Sequence, residues 1–133
     1  MDCAPACLTM VARALGSTVT LEHAGELCAT DANGTTAVAL VRAARALGFD
    51  ARAYRVRSVR EIPPTWLPVI AYAMRHFVVI ESCVDEYLML LDPALGRRQA
   101  GIAEFDAIWS GIIVTLASSS TEAVNQPPQN PQG

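Results

Sequence analysis

His76-Phe77-Val78-Val79-Ile80-Glu81-Ser82, Cys83-Val84-Asp85-Glu86 and Tyr87-Leu88-Met89-Leu90-Leu91-Asp92 follow one another directly in this chain. Two apolar runs bracket a polar connection of hairpin length, which predicts two antiparallel strands, His76 to Ser82 and Tyr87 to Asp92. His76 and Asp92 lie equally far from position 84, the middle of the expected turn. In a regular hairpin centred there they stand opposite each other on one face, with Cβ atoms roughly 4.5–5.5 Å apart. A carboxylate at that separation can accept an imidazole N–H. A two-residue change in turn registry would move the partner along the strand.

Upstream, Leu67 to Ala73 predicts another strand, and Phe49-Asp50-Ala51-Arg52-Ala53-Tyr54-Arg55 alternates at period two as a half-buried strand does. Pro63-Pro64-Thr65-Trp66 reads as a loop between them. The residues before Phe49 carry a different period. Leu8, Val11, Ala12 and Leu15 recur at helical spacing behind Pro5, whose missing N–H costs nothing in a first turn, and Gly16 ends the pattern. Thr20 can cap a short second helix, Leu21 to Cys28, and Asp31-Ala32-Asn33-Gly34 is turn chemistry. A third helix starts near Thr36, with Val38, Val41, Ala44 and Leu47 expected on its buried face and Gly48 as its cap. Downstream, Pro93-Ala94-Leu95-Gly96 turns the chain, Ala103 to Trp109 predicts a short helix, and Gly111 to Leu116 a last strand. Helices first and a mostly antiparallel sheet afterwards make an α+β domain over residues 1–117. From Ser118 the composition turns to Ser, Asn, Gln and Pro, which predicts a disordered tail or linker over 118–133.

The 133 residues carry a net charge of −3, with 52% hydrophobic and 17% charged side chains. That is one domain's length of chain with apolar material for a core. The charge balance gives no basic patch for nucleic acid. Apolar stretches reach only about half a dozen residues against the roughly 20 that span a bilayer. The N-terminus lacks the basic and apolar regions of a signal peptide, so Met1-Asp2-Cys3 reads as a cytosolic start or as the cut edge of a longer chain. Without a secretory signal, the four cysteines are expected as reduced thiols. Cys3 and Cys7 have no second Cys pair and no closely spaced His pair to complete a zinc site, and nothing calls for a cofactor.

Cys3 stands in Asp2-Cys3-Ala4-Pro5-Ala6-Cys7-Leu8, directly ahead of the first helical pattern. A thiol at a helix N-terminus, an imidazole and a carboxylate to orient it are the parts of nucleophilic amide hydrolysis. Each has a structural reading as well. Free Cys is commonly buried, as expected for Cys7, Cys28 and Cys83. A His on an apolar strand is commonly structural, and Asp-Pro commonly starts a turn. The three together favour the chemical reading. The other histidine, His23, lies in the second helix with no acidic partner placed by strand geometry.

These residues resemble the peptidase C39 family, the papain-like domains of bacteriocin and peptide exporters. Asp2-Cys3-Ala4-Pro5-Ala6-Cys7-Leu8-Thr9-Met10 is similar to that family's nucleophile motif, usually Asp-Cys-Gly-x-Ala-Cys-Leu-x-Met. Asn33-Gly34-Thr35, Ala43-Ala44-Arg45-Ala46-Leu47-Gly48-Phe49, Leu67-Pro68-Val69-Ile70, His76-Phe77-Val78-Val79 and Leu91-Asp92-Pro93-Ala94-Leu95-Gly96 resemble its later blocks in the same order, and Glu104-Phe105 and Trp109-Ser110-Gly111 its closing helix and strand. The resemblance implies a papain-like cysteine peptidase fold, with N-terminal helices packed on a mostly antiparallel sheet. It implies Cys3 as nucleophile, His76 as general base and acid, and Asp92 as the group orienting the imidazole. It implies cutting of a leader peptide after a double-glycine motif, at the cytosolic face of a bacterial inner membrane, alongside the transmembrane and ATP-binding domains of an ABC transporter. With neither domain in the chain, an excised peptidase domain or a stand-alone relative is expected.

Two positions depart from the family pattern. Ala4 stands where Gly is usual, which would crowd backbone near the substrate. The family places a Gln several residues before the nucleophile to help hold the oxyanion, and only Met1 and Asp2 precede Cys3 here. Losing one such donor costs on the order of 10²–10³ in rate, so slow cleavage with intact binding is expected. The same resemblance admits an alternative, a domain that binds leader or cargo without cutting it. A third reading is an unrelated scaffold or regulatory domain.

Overall fold

The computed structural model describes residues 3–28, 36–73 and 76–118, and three helices come first. α1 (Cys3–Ala14) takes Pro5 in its opening turn, buries Cys7, Leu8, Val11 and Ala12, and ends where Gly16 turns to φ +83°. α2 (Leu21–Cys28) is capped by Thr20, whose hydroxyl accepts from the His23 N–H at 3.0 Å. α3 (Ala37–Ala46) is capped likewise by Thr36, which accepts from the Ala39 N–H at 3.1 Å. Both hydroxyls satisfy N–H groups that a helix start cannot pair internally.

The expected face of α3 is corrected. Val38 is 60% exposed, and the helix buries Leu40, Val41, Ala43 and Ala44. Steps of three residues fall about 60° short of a full turn, so a stripe drawn through 38, 41, 44 and 47 winds round the helix until its two ends point apart. The i, i+3, i+4 stripe starting at Leu40 stays on one side.

The rest of the chain forms β1 (Phe49–Arg55), β2 (Val69–Ala73), β3 (His76–Val84), β4 (Tyr87–Asp92), β5 (Gly96–Gly101), α4 (Ile102–Ile108) and β6 (Trp109–Ser118), with short 3-10 turns at Val59–Glu61 and Pro64–Trp66. The strands make one sheet in the order β1-β6-β2-β3-β4-β5, and every neighbouring pair is antiparallel. Ser118 pairs with Phe49 and so belongs to β6, not to the expected tail. The remaining tail residues and the turn expected over 31–34 lie outside the described residues.

β5 was not expected from sequence. Gly96-Arg97-Arg98-Gln99-Ala100-Gly101 has no apolar periodicity because it is an edge strand, and its first four residues are exposed. The central strands behave oppositely. The helix side of the sheet buries Phe49, Ala51, Ile70, Phe77, Val79, Val114 and Leu116 under α1, α2 and α3. The other side buries Val69, Ala71, Val78, Ile80, Leu88, Leu90 and Ile113 against Val59, Ile62, Ile102 and Phe105. Burial on both faces explains why β2 and the first half of β3 read as unbroken apolar runs.

Among the described glycines, Gly111 is the one where a Cβ would come closest to another backbone. Its φ is +87°, and a Cβ there would stand 2.7 Å from the Val56 carbonyl oxygen, which leaves no room for a side chain. Gly111→Ala is expected to destabilise by about 2–3 kcal/mol or more, from strain plus clash. Gly25, inside α2 with nothing within 4 Å of its would-be Cβ, is the control. Gly25→Ala should stabilise by about 0.5–1 kcal/mol. Urea unfolding midpoints test both, and equal shifts for the two would contradict the packing described.

Candidate active site

β3 begins with His76 and β4 ends with Asp92, so antiparallel pairing sets the two at one end of the sheet. They do not stand directly opposite each other, as a hairpin centred on position 84 would have them. The turn is the two residues Asp85-Glu86, with Asp85 at φ +56°. From it the ladder runs Val84–Tyr87, Cys83–Leu88 and Ser82–Met89, then resumes as Ile80–Leu90 and Val79–Leu91, leaving Glu81 as the extra residue of a bulge. Without the bulge, the tip register would set Asp92 against Val79, an odd number of residues from His76 and hence on the opposite face. With it, the register continues to Val78, which shares a face with His76. The two therefore meet diagonally. Glu81 Oε1 lies 3.2 Å from Arg97 Nη2 on β5, an ion pair without hydrogen-bond alignment.

His76 Nε2 lies 3.4 Å from Asp92 Oδ2. That is long for a hydrogen bond, and catalytic pairs commonly tighten only in the substrate complex. The other carboxylate oxygen, Oδ1, accepts from the N–H groups of Ala94 at 2.8 Å and Leu95 at 3.2 Å. Asp92 is only 2% exposed. Burial pushes its pKa up, but the two backbone donors and His76 together outweigh burial and hold the carboxyl below its ordinary value of 3.8. It is an anion at neutral pH. The His76 side chain keeps 34% exposure, so part of the ring is open to solvent.

Cys3 arrives from the helix side. The Phe77 N–H donates to Cys3 Sγ at 3.4 Å, which places the sulfur beside the residue that follows His76. Nε2 is the ring nitrogen that faces Asp92, which leaves Nδ1 on the other side of the imidazole. The Cys3 sulfur, through the Phe77 N–H, and the His76–Asp92 pair thus lie at the corner where the first turn of α1 meets the ends of β3 and β4. The N–H groups of Phe77, Ala94 and Leu95 were not foreseen. Only the turn chemistry after Asp92 hinted at two of them, because backbone donors leave no mark in a sequence. His23 stands apart on the exposed side of α2, 3.6 Å from Glu26. Ala4 is 1% exposed among the core side chains, so its methyl fills the interior and does not crowd the cleft.

The sequence profile of the peptidase C39 family matches residues 1–121. This chain belongs to the peptidase C39 family. Among its relatives, the lactococcin-G-processing and transport ATP-binding protein LagD of Lactococcus lactis is 31% identical over 85% of this chain, which spans 17% of LagD. An uncharacterised protein of Methanothermobacter marburgensis is 31% identical over 86% of the chain and is itself 81% covered. A crystal structure of a double glycine motif protease from an AMS/PCAT transporter, in complex with the leader peptide, superposes with a TM-score of 0.78 at 28% identity, covering 89% of this chain and 85% of that one. The C39 chain described here therefore has the papain-like α+β fold, with helices packed on an antiparallel six-stranded sheet.

The remaining thiols differ in environment. Cys7 is wholly buried, and burial first, then the nearby Cys3 and Asp92, push its pKa well up. Burial raises Cys28 to about 11. Cys83, expected to be buried, is exposed near the hairpin tip, beyond the cover of the helices. Iodoacetamide is expected to label Cys3 fastest and Cys83 second, with Cys7 and Cys28 protected until unfolding, and His76→Ala should remove the lead of Cys3 over Cys83. Peptide mapping over time reads this, and a lead that survives His76→Ala would separate the thiol from the imidazole.

The folded state holds Asp92 deprotonated more firmly than the unfolded chain does. Its contribution to stability is therefore complete above the ordinary value of 3.8 and is lost as pH falls through the lower folded value. Asp92→Asn keeps the acceptor for Ala94 and Leu95 but not the charge. The stability gap between the two proteins should be flat from neutrality to about pH 5 and narrow progressively below it. A gap independent of pH in acid would show that the carboxylate's charge contributes nothing.

Proposed function

We propose that this chain is a cysteine endopeptidase that cuts a leader peptide after a double-glycine motif, with Cys3 as nucleophile, His76 as base and acid, and Asp92 orienting the imidazole. The observation that carries the proposal is the corner itself: in a C39 chain, the Cys3 sulfur lies against the backbone next to His76, whose far nitrogen faces a buried carboxylate. Asp92 fixes the ring and stabilises the imidazolium that forms when Cys3 loses its proton. The thiolate attacks the scissile carbonyl carbon, and the Cys3 backbone N–H supplies a donor to the developing oxyanion. His76 then protonates the departing amine, and a water activated by the same ring hydrolyses the thioester.

The leader's upstream part needs a surface, and the sheet offers one. α1, α2 and α3 lie over the β1, β6, β2 and inner β3 part of the sheet face, while Val84, Tyr87, Met89 and Gln99 border a groove of about 310 Å³ on the outer part. Val84 and Tyr87 are 64% and 52% exposed. Apolar leader residues would bind there while a pair of glycines, lacking side chains, threads the backbone past Cys3. No helix among the described residues is long and apolar enough to cross a membrane. The relative LagD joins processing and transport in one polypeptide. By that analogy, the peptidase works on the cytosolic side of a membrane, beside an ABC transporter that is fused or separate.

Cleavage assays with a leader-derived peptide ending in Gly-Gly test the proposal. Replacing the Gly pair by Val-Val should leave binding within a few-fold and lower kcat/KM by about 10³ or more. Cys3→Ala should bind the Gly-Gly peptide with unchanged Kd and not cut it. Equal turnover of both peptides would indicate a general protease. Binding without cleavage by the wild-type chain would indicate a leader-binding domain instead.

A further inference from the structure

Cys7 lies one helical turn behind Cys3 on α1, wholly buried, and the reaction above gives it no part. Residues four apart on an α-helix have Cα atoms about 6.2 Å apart and Cβ atoms about 5–6 Å apart. A disulfide tolerates Cα separations of about 4.4–6.8 Å and takes Cβ atoms about 3.5–4.5 Å apart. The two thiols therefore need only about 1–2 Å of closure in the opening turn of the helix. Cys3 packs against the same cluster of buried side chains that contains Cys7. Cys7 therefore sits one helical turn behind Cys3 in the same packed layer.

From this placement we propose that Cys3 and Cys7 form a dithiol modification site for hydroperoxides, in which Cys7 captures the oxidised nucleophile as a reversible disulfide. The proposal rests on the reading of Cys3 as the reactive thiol. The Cys3 thiolate attacks one oxygen of hydrogen peroxide, the O–O bond breaks, and sulfur becomes a sulfenic acid while hydroxide leaves. The Cys7 sulfur then attacks the sulfenic sulfur. An S–S bond forms, the S–O bond breaks, and the hydroxide departs with the Cys7 proton as water. Two thiols lose two electrons in all, and the peroxide is reduced to water.

The division of labour follows from burial. Cys3 is partly exposed and meets the oxidant, whereas Cys7 is sealed and does not compete for peptide substrate. A bridge that distorts its helix is strained, and strained disulfides are the readily reduced ones. The disulfide state is inactive, and it protects Cys3 from the irreversible sulfinic and sulfonic acids.

The test uses the 133-residue protein with Cys83→Ala, which removes the exposed thiol. It is treated with hydrogen peroxide, blocked with iodoacetamide and mapped by mass spectrometry. The peptide holding both Cys3 and Cys7 should lose two hydrogens and take up no alkyl group, and dithiothreitol should restore both thiols and peptide cleavage. With Cys7→Ala added, Cys3 should reach the sulfinic acid about tenfold faster or more, beyond rescue by dithiothreitol. Cys7→Ser serves if the alanine variant does not fold, and the map of the parent needs neither. Equal sulfinic acid formation with and without Cys7, or a bridge from Cys3 to Cys28, overturns the proposal. Cleavage that survives Cys3→Ala overturns the nucleophile reading instead, so the two failures are distinguishable.

Discussion

A carboxylate sealed from water is stable only when its oxygens find donors, and among the described residues Asp92 is the charged side chain in that position. Its two oxygens divide the work. Oδ1 ties the turn after β4 to the strand's last residue through the Ala94 and Leu95 N–H groups, and Oδ2 is left for His76. The first task makes the second possible. Two backbone donors aimed at the carboxylate offset its burial, so it is still an anion when the imidazole needs one. That anion is what the Nε2 nitrogen of His76 faces.

Bringing His76 into reach of Asp92 depends on a single irregularity in β3. Side chains alternate along a strand, so one residue of slippage would turn His76 to the wrong face. The bulge at Glu81 absorbs that residue between a hairpin tip in one register and a core in another. On the core side of the bulge, Val78 and Ile80 face one layer while Phe77 and Val79 face the helices. The inner strand is clamped by burial on both faces, and the tip is free to follow its two-residue turn. The bulge is where these two demands meet.

The same helix gives its two cysteines different fates. Cys3 lies in the opening turn with a strand N–H aimed at its sulfur, and Cys7, one turn on, is closed into the core. Ala4, beside Cys3, is also buried in the core, which is why a methyl is tolerated where the family usually has glycine. The two thiols differ in exposure because of their depth along α1, not because of the side they occupy.

Much of this protein was already present in the order of its residues. The cap at Thr20, the helix start near Thr36, breaks at Gly16 and Gly48, the apolar runs of β2 and β3 and the alternation of β1 are local signals, governed by neighbours within a turn or two of chain. That His76 and Asp92 come near each other was legible for the same reason, since the strand and the turn after Asp92 are both written locally. Other features were not legible. β5 has no apolar pattern, because an edge strand made of Gly, Arg and Gln is held by the ladder of β4 and not by burial. The diagonal meeting of His76 and Asp92, the exposure of Cys83 and the Phe77 N–H at the Cys3 sulfur depend on register and on backbone groups common to every residue. Such groups acquire a role only when strands distant in sequence are brought side by side, and that is decided by how the sheet pairs and packs, not by residue type.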